Sequence, residues 1–270
     1  MMQDKTKFAY ATGRIRALER HLVPQEIIAR MAEAPSFESA FSLLNETIYG
    51  PALAKLQPAF EVDELMHFEI EKTIALLNQL APQNETLRML FMQYLIHNVK
   101  VFIHAQRSKI KPPKKALYNV YPEETNHIRN SILKTQEKLY SDLDELIELL
   151  QKNPDSAKID AQADLWYLEK LLKYAQTSHL TLLIKIAQIK LKIAKLKIDQ
   201  SPNFEVERLL EDQIMEEIKK AKYIAFGVEP LIAFYFAKLY ETNNIVLVLK
   251  CKKNEIPKHE INQHVREMYV

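Results

Sequence analysis

His97 and His104 stand two helical turns apart, so a helix would place both imidazoles on one face, where a pair can bind a metal ion or relay protons. No third ligand follows at a metal-site spacing and HExxH is absent, so the pair reads as surface or packing residues. Cys251 lies between Lys250 and Lys252, whose charges would lower a thiol pKa, but no partner base is identifiable for a nucleophile. The acidic pairs Asp142/Asp144 and Glu216/Glu217 fall in amphipathic stretches and read as solvated helix faces, not as acid/base pairs with separated pKa values. The chain has 3 glycines in 270 residues and neither GxxxxGK[ST] nor GxGxxG, so it cannot build a phosphate loop. The same scarcity predicts few left-handed turns. No catalytic constellation, metal site or cofactor is expected.

Two basic stretches remain. Arg107, Lys109, Lys111, Lys114 and Lys115 flank Pro112–Pro113; Lys185, Lys190, Lys192, Lys195 and Lys197 are interleaved with Ile, Leu and Ala. The second can form a cationic amphipathic helix with Ile186, Ile189, Ile193 and Leu196 on its apolar face. Each stretch reads either as a solvated face over a core or as a contact for an acidic partner or anionic headgroups.

The elements that must carry these residues are helices. Scarce glycine, abundant Leu, Ile, Ala, Lys and Glu, and apolar residues at 3–4 spacing predict an all-α protein. Ile15, Leu18, Leu22 and Ile27 form a stripe interrupted near Pro24. Ser36 is a predicted N-cap with Glu38 in the first turn, and Gly50–Pro51 a stop. "ETLRMLFMQYLIHNVKVFIHAQ" is one long helix that breaks by Pro112–Pro113. Ser141 with Asp144 suggests a capping box, "KNPDSAK" a break, and Asp164 to about Ile198 a long helical region. Ser201–Pro202 starts another element. Pro230 suits a first helical position, and Gly227 frees the backbone just before it. "NNIVLVLKCK" has the β-branched content of a strand, but an isolated strand would leave its backbone unpaired, so a helix is expected. The resulting units are 1–111, 112–200 and 201–270. "HNVKVFIHAQ" (97–106) and "NNIVLVLKCK" (243–252) share an Asn followed by an apolar run; "KIAQIKLKIAKLKI" (185–198) has the run without the Asn, which hints at three related units.

Net charge is +2, so nothing global drives the chain to nucleic acid or lipid. The single cysteine excludes an intrachain disulfide and suits a reducing compartment. With no signal-peptide core in "MMQDKTKFAY" and no apolar run long enough to span a bilayer, a soluble, cytoplasmic protein is expected.

"FGVEPLIAFYFAK" and the final "IPKHEINQHVREMYV" resemble the C subunit of the prokaryotic V/A-type ATPases, whose eukaryotic equivalent is the d subunit. The resemblance rests on Phe226, Gly227, Glu229, Pro230, Leu231, Lys252, Pro257, Glu260, Ile261, Arg266, Glu267, Tyr269 and Val270. "YATGRIRALERHL" is similar to the family's opening helix through Tyr10, Arg14, Arg16 and Glu19, and "LLNETIYGPAL" to its leucine-rich turn through Thr47, Tyr49 and Gly50. "YLIHNVKVFI" retains Asn98 and Lys100 of an internal motif, and "DLWYLEKLLKYAQTSHLTLL" resembles the second unit. Leu95, Lys190, Ile193, Leu239 and Val246 depart from the family's polar residues, so its inter-helix polar contacts are not carried over to those positions.

The resemblance implies three similar helical domains around a pseudo-threefold axis, forming a funnel. It implies a non-catalytic rotor protein that links the central shaft (the D and F subunits) to the membrane rotor ring of proteolipid subunits. Such a protein has no cofactor, no nucleic-acid partner and no span of its own, and is held peripherally at the membrane by the complex. The alternatives are a helical membrane-surface or nucleic-acid-binding adaptor working through the basic stretches, and an enzyme whose site is assembled from scattered residues such as His97 and His104.

Overall fold

The computed structural model describes residues 8–50, 62–133, 141–153, 155–199 and 204–270. Pro51, Ser201–Pro202 and the Ser141 side chain, on which three expected helix boundaries rest, lie outside the described residues. Every regular element among the described residues is helical, as the composition predicts. In chain order the α-helices are α1 (Ala9–Glu19), α2 (Gln25–Glu33), α3 (Phe37–Ser42), α4 (Val62–Leu80), α5 (Glu85–Arg107) and α6 (Pro122–Ile132). There follow α7 (Ser141–Lys152), α8 (Ser156–Thr177), α9 (Thr181–Ile198), α10 (Phe204–Lys220), α11 (Glu229–Lys253) and α12 (Lys258–His264). Short 3-10 turns cover Leu43–Glu46, Lys114–Ala116 and Ala221–Tyr223.

By packing, the chain forms two compact units. One joins Met1–Pro82 to Phe204–Val270 and the other is Gln83–Asn203.

In the first unit α11 is the central strut. It packs against α1, α2, α3, α4, α10 and α12, so it is apolar nearly all round and has no polar stripe. Leu231, Ile232, Phe236, Ile245, Val248 and Leu249 are all buried. "NNIVLVLKCK" is helical here. Its β-branched residues fill a core that surrounds them, with Ile28, Met31, Leu44, Leu65, Ile261 and Met268 in the same cluster. Tertiary packing thus overrides local propensity. Gly227 has φ +116° and Val228 caps the helix. Glu229 is the first helical residue and Pro230 the second, one position later than expected. Proline fits there because the amide of that position also lacks an intrahelical acceptor.

The second unit is a helical bundle built on α5, α8 and α9. Asn84 caps α5 by accepting from the Leu87 N–H at 3.0 Å. Lys100 meets Asp164 at 2.8 Å and His104 meets Asp160 at 3.2 Å, while Arg107 reaches Ser156, so α5 and α8 run antiparallel. The region expected to run from Asp164 to Ile198 begins earlier, at Ser156, and is broken at 178–180 into α8 and α9. The break has no glycine or proline to announce it.

Glycine scarcity did not exclude left-handed residues. Gln83, Lys109, His179 and Glu255 all have φ between +54° and +57°. Three of them end helices with the bonding of a Schellman motif. The Ile110 N–H donates to the Ala105 carbonyl, Leu180 to Ala175 and Ile256 to Cys251, at 3.0, 3.0 and 2.9 Å. The reward is satisfied terminal carbonyls; the cost is a side chain in a region that disfavours a Cβ by about 1–2 kcal/mol.

Candidate functional site

The first unit holds a buried ionic cluster that sequence reading missed. Lys238 and Glu241 lie one turn apart on α11, and Glu69 faces them from α4. Lys238 Nζ is 2.5 Å from Glu241 and 3.5 Å from Glu69. Tyr49 donates its hydroxyl to Glu241 at 2.6 Å and accepts from Lys238 at 2.9 Å. The Val23 N–H donates to the other Glu241 oxygen at 2.5 Å, and Lys72 closes on Glu69 at 3.1 Å. Glu69, Glu241, Lys238 and Tyr49 are all buried. Burial first, then the Glu241 and Glu69 charges, push the Tyr49 phenol well above its usual pKa, so it stays a donor. Two carboxylates are balanced by two ammonium groups. Its signal in the sequence was a Lys and a Glu inside an otherwise apolar helix.

A second set of contacts fastens the segment after Val265. Arg16 forks onto both Glu19 oxygens at 2.7 and 2.8 Å and donates to the carbonyls of Ala221 and Ile224. Tyr269 donates to Glu19 at 2.8 Å, and Lys222 donates to the Tyr269 carbonyl at 2.7 Å. The Met268 N–H donates to Gln25 at 3.1 Å. Lys252 donates to the Ala34 carbonyl at 2.7 Å. Gly50 passes so close to Asn45 that a Cβ would lie 2.9 Å from its carbonyl oxygen. Many of the residues that carry the family resemblance therefore hold the first unit together; Tyr10, Arg14, Phe226, Pro257, Glu260, Glu267 and Val270 are exposed, and Asn98 and Lys100 lie in the second unit.

The two Asn-bearing segments share a device. Asn98 donates to the Tyr118 carbonyl at 2.9 Å and accepts from the Tyr118 N–H at 2.9 Å. Asn244 does the same to Arg266, at 2.8 and 3.0 Å. Each asparagine grips one peptide of the returning chain, and each helix then exits through a left-handed residue, Lys109 or Glu255. In helix α9, whose segment lacks the Asn, the cap Asp199 has φ −70°, and the residue after it, which is the left-handed one in the other two, lies outside the described residues.

The predicted chemistry-bearing residues are mostly engaged in structure. His97 bonds the Ala116 carbonyl at 2.9 Å and His104 pairs with Asp160. No cluster of three or more metal-ligating side chains occurs among the described residues. The Cys251 thiol pKa is raised, not lowered: burial and then Glu260 outweigh Lys252. Asp144 is buried, contrary to the expectation of a solvated face, and its Oδ2 finds no hydrogen-bond partner among the described residues. Glu216 is exposed, and the half-buried Glu217 accepts from Lys220 at 2.6 Å.

Of the candidate interface residues, Arg107 turns inward and donates to the carbonyls of Leu150, Gln151 and Asn153. Lys109, Lys111, Lys114 and Lys115 are exposed on the loop that follows. On α9, Ile186 and Ile193 are buried while Lys192, Lys195 and Lys197 are exposed and Lys185 and Lys190 are half-buried, close to the predicted amphipathic pattern. Lys192 and Lys195 border a shallow groove with Leu191 and Leu196.

Among the described residues every regular element is helical, and Glu69, Lys238 and Glu241 are paired with one another inside the first unit. The chain belongs to the ATP synthase (C/AC39) subunit family, which it matches over residues 11–201 and 183–264. It is 24% identical over 228 residues to the C subunit of the A-type ATP synthase of Pyrococcus horikoshii, covering 76% of this chain and 60% of that protein. Against the C subunit of the A-type ATP synthase of Thermococcus kodakarensis the identity is 23% over 206 residues, covering 72% and 56%. The chain thus spans about three-fifths of the length of these relatives. No helix among the described residues is long and apolar enough to cross a membrane.

Proposed function

We propose that the protein is a non-catalytic rotor component of a V/A-type rotary ATPase or ATP synthase. It links the central shaft, made of the D and F subunits, to the membrane rotor ring of proteolipid subunits, and carries torque for proton or sodium transport. The observation that supports this most is the family match, which runs from residue 11 to residue 264. The buried groups fit a mechanical role. A close-packed interior transmits strain, and α11, locked by Lys238, Glu241 and Asn244, is a stiff element to transmit it through.

The division into three helical domains about a pseudo-threefold axis, with boundaries near 111 and 200, belongs to the same proposal. The matching peptide grips of Asn98 and Asn244 favour a common origin for the first and third segments. The protein works at the cytoplasmic face of the membrane, held there by the complex. The test is calorimetry and turnover with the isolated chain. Neither ATP hydrolysis nor micromolar nucleotide binding is expected; either would overturn the non-catalytic reading.

A further inference from the structure

The second unit gathers its unpartnered apolar surface at one end. Helices α5 and α8 are antiparallel, and α8 and α9 pack along one another across the turn at 178–180. The C-terminus of α9 therefore lies beside the N-terminus of α8 and the C-terminus of α5. Arg107 bonds the last carbonyls of α7, and Gln106 donates to the Ile132 carbonyl at the end of α6 at 3.0 Å, so both of those helices end there too. Among the described residues of this unit the exposed large hydrophobic side chains are Ile110, Leu133, Leu149 and Ile198, and all four sit at this end. Ile110 is 62% exposed at the tip of the loop, between Lys109 and Lys111.

The charge at this end is positive. Lys109, Lys111, Lys152, Lys195 and Lys197 are exposed there, against the exposed carboxylates of Glu148, Asp160 and Asp199, while Asp155 lies 3.6 Å from Lys158. Arg107 neutralises helix C-termini, as a cation in a last turn should. Lys109 and Lys111 lie beyond the helix, where no such duty accounts for them. Residues 83–203 as a whole carry more Lys and Arg than Asp and Glu, and the rest of the chain carries fewer.

The geometry points to this end of the second unit, centred on Lys109–Ile110–Lys111, as a docking surface for an anionic lipid headgroup layer. Protein-interface cores are enriched in aromatic residues and Arg and depleted in Lys; here the side chains are Lys and aliphatic, and the one nearby Arg is turned inward. Clustered lysines are attracted to anionic headgroups, and a protruding aliphatic side chain inserts at the acyl boundary. The inference stands on the second unit alone and does not depend on the rotor reading.

The test is co-sedimentation of the full chain with vesicles of phosphatidylglycerol and phosphatidylcholine, or of phosphatidylcholine alone. The chain should bind the first and not the second. Lys109→Ala with Lys111→Ala should weaken binding about 25-fold, at roughly fivefold per lysine, and less at high salt. Ile110→Ser should weaken it at every salt concentration. A charge-matched control away from this end, Arg88→Ala with Lys173→Ala, should bind nearly as the wild type does. Absence of vesicle binding, equal binding to neutral vesicles, or a control as weak as the Lys109/Lys111 pair would overturn the inference. Retention on immobilised polyglutamate without vesicle binding would also overturn it, and would assign the surface to an acidic protein.

Discussion

Lys238→Met removes the buried cation at the centre of the first unit's ionic cluster and leaves its methylenes in place. Lys238 and its two carboxylates are nearly inaccessible, with side-chain exposures of 6% for Lys238 and 1% for Glu69 and Glu241. Lys72 remains beside Glu69, but Glu241 keeps only the Val23 N–H and the Tyr49 and Thr242 side of the cluster. Breaking one side of a buried pair costs about 3–5 kcal/mol, because a desolvated charge is left uncompensated. That is a large part of the roughly 5–15 kcal/mol by which domains are stable. Urea denaturation followed by far-ultraviolet circular dichroism measures it through the midpoint, with the slope held as a check on the unfolding unit. Adding Glu241→Gln should restore more than half of the loss, since the amide oxygen can still accept from Val23 while the stranded charge is gone. A Lys238→Met protein destabilised by less than about 1 kcal/mol, or a double variant no better than the single, would refute the assignment of Lys238 as the balancing charge.

His179→Gly should stabilise the second unit by about 0.5–1 kcal/mol, the relief of a left-handed side chain less the added freedom of the unfolded glycine; thermal melts would read it, and a loss of stability would contradict the strain argument. Gly227→Val should cost about 1–3 kcal/mol through backbone strain alone, since nothing lies within 4 Å of its Cβ position. Pro230→Ala should cost only about 0.4–1 kcal/mol, and denaturant melts that reverse the order of the two would refute this account of the "FGVEP" turn. The half-buried His67 has a pKa below its usual 6.5, mainly through burial, partly opposed by Glu71 and Asp63. Its contribution to stability is therefore present above pH 6.5 and is lost as pH falls through the lowered folded value; a nuclear magnetic resonance titration of His67 with a midpoint above 6.5 would reverse that sign.

The all-helical fold was legible because period and composition agree along most of the chain, "NNIVLVLKCK" excepted, and Ser36, whose side chain accepts from the Ser39 N–H at 3.2 Å, marks its boundary by local chemistry. The break at His179 was not legible. A left-handed residue that is not glycine leaves no compositional mark, and the stretch around it is as helix-compatible as its neighbours. Lys238 and Glu241 were passed over for a related reason: a charged pair one turn apart looks solvated until a second helix, here α4, is known to cover it. The basic stretches were visible as charge, but only packing separates Arg107, which ties helix ends together, from Lys109 and Lys111, which face outward. Cys251 shows the same limit in reverse, since adjacent lysines in sequence count for less than the burial of the thiol.

The central claim is that this chain joins a rotary ATPase rotor. An affinity-tagged chain, produced in its own cells and purified from gently solubilised membranes, tests it directly. The account predicts that shaft subunits and the membrane ring co-purify with the chain, and that the ring stays attached after the ATP-hydrolysing head has been stripped away. A chain recovered alone, or with the head and without the ring, would contradict it.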